Sequence, residues 1–342
     1  MCLAKVISSD GNPLARDADG TCRGAIMCFP KADLAKLVAY GRPSYGSGHE
    51  ICGECLANRT DMPHTDIRHD ATWRPSEVAM TNAQYVARYT NGHPMADSPF
   101  FNKFFHRLDA MHVLDHHGLS SVLMGSILRR LVVLEGRLGT NQQARLDAIN
   151  AEFSQYYNDH LVSTRLPKLL LSNLVSHGWS ELSGPLIKAA GVRNACPFVE
   201  VLARRYFDDG SDYSKAIVKC ISYLNGVYDV LYSANVFLTD VELEALRTRL
   251  LSVGRYHMLC RHFAKERHEL HFAVRPKAHF AQHLYMQCVL INSRFVQCYA
   301  EESLVGRVTK IARSSSNGKY LGKAQHTVLI KYLVFLAVLL EM

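Results

Sequence analysis

The sequence has no apolar run long enough to cross a bilayer. Its longest, YLVFLAVLL from Tyr332 to Leu340, falls well short of the roughly 20 residues that a spanning helix needs, so no membrane association is expected and a buried C-terminal helix or strand is. No charged segment followed by an apolar core opens the chain, and the ten cysteines lack framework spacing. That combination reads as reduced thiols in an intracellular, non-secreted protein. No internal repeat is visible. A dense basic tract is also absent: the net charge of +8 is spread along the chain, which favours a polyanionic partner such as DNA only weakly.

What is present is enough for a globular body. The 342 residues are 48% hydrophobic and 20% charged, within the ordinary range for folded domains. Residues 1–23, including SSDGNPLARDADGTCRG, read as a loose polar tail, and GAIMCF reads as a short buried strand ending at Pro30 and Asp33. Residues 41–100 are rich in turn signals (GRPSYGSGHE, NRTDMPH, NGHPMADSP). From 118 to 270 helical periodicity takes over, with Leu119, Val122, Leu123, Ile127, Leu131 and Leu134 at intervals of three and four. Thr239 or Asp240 is the expected N-cap of a helix through LTDVELEALRTRLL.

Two short spacings carry chemistry. ICGEC places Cys52 and Cys55 in a CxxC knuckle, of which ten cysteines would give about 0.3 by chance. RPKAHFAQHL places His279 and His283 four apart, on one face of a helix. With 17 histidines about one such pair is expected by chance, and His112 with His116 forms another. Together the knuckle and the His279 pair would supply the four sulfur and nitrogen ligands of a closed tetrahedral zinc site. A redox CxxC, or two buried cysteines beside two unrelated histidines, are the competing readings. A thioredoxin-like role needs a βαβ setting not seen here, and HFAQH lacks the glutamate of the HExxH metalloproteases.

Two acids flank these pairs: Asp33 lies 19 residues before Cys52, and Glu302 lies 19 residues after His283. AIMCFPKADLAKLVAYGRPSYGSGHEICGEC resembles the segment of CACTA-type DDE transposases in which an apolar strand ends in an aspartate and leads to a Cys-x2-Cys. LDAMHVLDHHGLSSVLMGSIL is similar to their Asp-x-Met-His segment, RPKAHFAQHL to their Pro-Lys-x-His-x3-His, and CYAEESLVGRVTK to their Cys-Phe-x-x-Glu-Ser segment. The four occur in the family's order over about residues 24–310.

The resemblance implies a mainly α chain with a small α/β part: a partial RNase H-like core interrupted by a large helical insertion. Residues 24–117 would be the partial core with the CxxC knuckle, 118–270 the insertion, and 271–342 the His-x3-His, the third-acid helix and the C-terminal apolar helix. It implies a structural Zn²⁺ on Cys52, Cys55, His279 and His283 that positions Glu302. It also implies an ancestral Mg²⁺ site in which Asp33 matches the second acid and Glu302 the third, with Glu301 beside it. Mg²⁺ takes oxygen ligands, and a two-metal site cleaves and transfers phosphodiesters.

The chain departs from the pattern in two places. Ala35-Lys36 stands where the family has Pro-Ala, and only 32 residues precede Asp33, fewer than the roughly 60 that a first strand, meander and helix need. Asp109 is the remaining candidate carboxylate, and equally a helix cap or hydrogen-bonded structural acid. The expectation is a transposase-derived nuclear protein with DNA as partner, able to self-associate, and lacking cleavage because one catalytic acid is missing. The alternative is a zinc-stabilised helical DNA- or protein-binding chain without catalysis.

Overall fold

The computed structural model describes residues 31–32, 49, 51–87 and 107–299. The described part is mainly helical. Asp33, Glu301, Glu302, the expected strand at 24–30 and the apolar run 332–340 lie outside it.

The body is built around α3 (Leu119–Leu134). Leu119, Val122, Leu123, Ile127 and Leu131 are buried, as their spacing predicts, while Leu134 is 55% exposed at the last turn. Ser120, Ser121 and Ser126 are buried as well, so residues 119–128 of this helix are enclosed on all sides. Their hydroxyls avoid an unpaired state: Ser121 donates to the Asp115 carbonyl, Ser126 accepts from the Phe272 amide, and Ser120 meets the Tyr228 hydroxyl. Around it pack α4 (Gln142–Asp159) and α5 (Ala189–Tyr206), and the hairpin of α6 (Asp212–Ser233) and α7 (Asp240–Glu266) closes the bundle. Thr239 caps α7 through a reciprocal box with Glu242, which supplies partners for two otherwise orphaned amides.

Periodicity predicts a predominantly helical 118–270, and residues 160–188 are where it departs most. A small antiparallel pair, β3 (Val175–Ser176) with β4 (Trp179–Ser180), sits there. Its turn is His177-Gly178, both at positive φ (50° and 81°), the geometry of the tightest hairpins. A two-residue strand is too short for a period-2 pattern to register.

The remaining strands form one parallel contact. β1 (Lys31–Ala32) runs beside β2 (Arg107–Leu108), with Ala32 opposite Leu108. No other sheet occurs among the described residues.

A loop-rich lobe, residues 51–73, docks on α7 before α1 (Arg74–Ala79) and α2 (Asn82–Ala87). Gly254 of α7 makes that docking close: a Cβ there would collide with the Ile67 carbonyl oxygen. Helix propensity alone would make Gly254→Ala favourable by about 1 kcal/mol. The collision reverses the sign, and we expect a net loss of about 1–3 kcal/mol in urea denaturation; a stabilised variant would show that the lobe does not lie there.

Asp115 ends the helical turn Met111–Asp115 and is fully buried between Tyr228 and Tyr299, whose hydroxyls both donate to its carboxylate. Burial outweighs those hydrogen bonds and raises its pKa to about 7. The folded state therefore holds the proton more tightly than the unfolded state, and stability falls as pH rises from about 4 to about 7. The expected slope difference between parent and Asp115→Asn is on the order of 1 kcal/mol per pH unit across that window. Denaturation profiles from pH 4.5 to 7 that run parallel in the two proteins would refute it.

Candidate metal centre

Four side chains converge where the loop-rich lobe meets the helices that follow α7. Cys52 and Cys55 come from the lobe and His279 from α8 (Pro276–Ala281), while His283 stands at the junction with α9 (Leu284–Cys288). All four are buried, and their ligand atoms lie within 4.8 Å of one another. Cys52 Sγ is 3.3 Å from His283 Nε2, Cys55 Sγ is 3.4 Å from His279 Nε2, and the two Nε2 atoms are 3.1 Å apart. Zn–S and Zn–N bonds of about 2.3 and 2.0 Å set the edges of a tetrahedron at about 3.3–3.8 Å. The observed separations are close to those edges.

The spacing predicts that both histidines share one α-helix; instead they straddle the junction of α8 and α9. The amides of Gln282 and His283 donate to the carbonyls three residues back, on His279 and Phe280, so the chain tightens between α8 and α9. This turn still presents both Nε2 atoms to the two thiols.

The knuckle is shaped by its own sulfurs. Cys52 Sγ accepts from the Glu54 amide at 3.3 Å, and Cys55 Sγ accepts from the Ala57 amide at 3.4 Å. Trp73, fully buried, lies edge-on to His279 and tilted to His283, at 4.3 and 5.4 Å between ring centres. On the outer side Glu77 of α1 is 2.8 Å from His283 Nδ1. That carboxylate fixes the proton on Nδ1 and leaves Nε2 its lone pair.

Burial opposes ionisation of both Cys52 and His283, yet the hydrogen bond from Cys55 and the attraction of His283 drive the Cys52 thiol down, and Cys52 with Glu77 drives His283 up. Burial, aided by repulsion from His283 and His64 and opposed by Cys52, pushes His279 down to about 4, so it stays neutral. A thiolate with neutral imidazole is the donor set that a borderline-soft metal requires, and binding would displace the proton that Cys52 and His283 otherwise share. The described residues thus hold a Cys2His2 group that fits zinc.

Asp109 follows β2 and is buried elsewhere in the fold. One oxygen accepts from the amides of Met111 and Cys298, at 3.0 and 3.2 Å, and the other lies 2.5 Å from His112 Nδ1. It thereby ties the Met111–Asp115 turn to the segment that leads toward Glu302. Asp33 and Glu302, outside the described residues, have no stated position.

No family model, curated protein or solved structure matches the chain. Spacing pointed to the four ligands but not to Glu77 or Trp73, whose stretch ATWRPSEVAM carries only the Pro75 helix-start signal. About one Zn²⁺ per chain is expected, and Cys52→Ser or His283→Ala should release it together with the fold of the 51–73 lobe. Elemental analysis of freshly purified protein and limited proteolysis check this; a metal-free parent would remove the assignment.

Proposed function

We propose that this is a DDE-transposase-derived protein whose zinc centre preserves the parental architecture and which binds DNA without cutting it. The observation carrying the reading is the meeting of Cys52 and Cys55 with His279 and His283 across more than 200 residues of mostly helical chain. Independent motifs have no reason to converge; the resemblance requires them to. The +8 charge supplies a salt-sensitive attraction to phosphates, and a nucleus is where such a chain would meet its DNA.

Against catalysis stands the state of Asp109. Three of its carboxylate's roughly four lone-pair sites are already taken by Met111, Cys298 and His112. Two-metal phosphoryl transfer needs carboxylates free to bridge and flank ions about 4 Å apart. In favour of catalysis is the strand register: Ala32 lies opposite Leu108, and the next residues in the sequence are Asp33 and Asp109. That makes Asp109, rather than an upstream residue, the natural carboxylate to test beside Asp33.

The expected outcome is binding that weakens as salt rises from about 50 to 200 mM, with no cleavage of end-labelled DNA carrying terminal inverted repeats in Mg²⁺ or Mn²⁺. Cleavage by the parent that Asp33→Asn and Asp109→Asn both abolish would establish the catalytic alternative. Salt-independent binding, or none, would remove DNA as the partner.

A further inference from the structure

The two histidines of the metal centre are held unequally. His283 has a built outer contact: Glu77, only 3% exposed, sits 2.8 Å from its Nδ1. Glu77 is itself backed by Arg74, one turn earlier on α1, with Nη1 at 3.9 Å from the carboxylate. Arg74 then reaches past it, donating to the Gln282 side chain at 2.9 Å and to the Ile67 carbonyl at 3.1 Å, with its guanidinium over Trp73 at 4.6 Å. A chain of contacts therefore runs from the loop-rich lobe through Arg74 and Glu77 to Gln282 and His283. His279 has nothing comparable: its Nδ1 is buried and has no hydrogen-bond partner among the described residues.

We infer that Glu77 is the positioning residue that makes His283 the permanent nitrogen ligand and leaves His279 the exchangeable one. This rests on the zinc reading of the same site. A ligand imidazole whose outer N–H is held by a carboxylate is oriented before metal arrives and is the stronger donor, and removing such a partner typically weakens metal binding by about 10–100-fold. An imidazole with a free outer N–H is held by packing and by the metal bond alone. Cys52, Cys55 and His283 thus form a three-ligand core joined to α1 through Glu77. His279 closes the fourth position, which an external thiolate or azide can take when the imidazole is removed.

Four single substitutions test this on the full chain, with Zn²⁺ affinity read by competition with a chromophoric chelator and ligand geometry by the visible absorption of bound Co²⁺. Glu77→Ala should weaken Zn²⁺ by about 10–100-fold. Glu77→Gln, which keeps a hydrogen-bond acceptor and loses the charge, should fall between it and the parent. His279→Ala should keep one metal per chain, with a Co²⁺ spectrum that changes on adding azide or a small thiol; His283→Ala should lose the metal. Should Glu77→Ala fail to fold, Glu77→Gln and the two histidine variants decide. Parental affinity in the Glu77 variants, or equal losses in His279→Ala and His283→Ala, would overturn the asymmetry. A parent that binds no Zn²⁺ would instead overturn the metal centre itself.

Discussion

The contact between two thiols and two imidazoles is where the least regular part of the chain becomes ordered. Between residues 51 and 73 there is hardly any repeating backbone structure, so no ladder or helix offsets the entropy of fixing each residue, on the order of 1–2 kcal/mol apiece. What this lobe has instead is Ile51, Ile67 and Trp73 buried against the helical body, amides donating to the two sulfurs, and the metal centre at its far edge. The tight approach of Ile67 to α7 is permitted by the absence of a side chain at Gly254.

Local signals were legible in the sequence where a period or a spacing exists to carry them. The helices from Leu119 to Glu266 show in the three-and-four repeat, the Thr239 cap in its box with Glu242, and the metal ligands in two short spacings. Contacts that depend on folding leave no such trace. Glu77 reaches His283 across 206 residues, and nothing around Glu77 marks it. The His177-Gly178 hairpin was hidden because its strands are shorter than one full alternation. Leu134 fits the apolar period yet stands exposed at the last turn of α3.

Asp109 and Asp115 show how two aspartates six apart on one short segment acquire different characters. Asp109 receives two backbone amides on one oxygen and faces the His112 imidazole with the other. Asp115 receives two tyrosine hydroxyls inside apolar surroundings, and there burial prevails. Asp109, just before the turn Met111–Asp115, is thus tied down by hydrogen bonds, while Asp115 at its end is an acid whose proton burial favours.

The helical hairpin of α6 and α7 joins residues that are neighbours in sequence, whereas the bond between Cys55 and His279 closes 224 residues. For a flexible chain, closing a loop of that length costs about 5 kcal/mol in entropy. Helices that form early shorten the effective loop, since contacts of low sequence separation assemble fastest. By that argument the helical body is expected to collapse before the knuckle closes on His279 and His283. Until it closes, Cys52 and Cys55, both fully buried in the folded chain, would stand open to solvent and to oxidation.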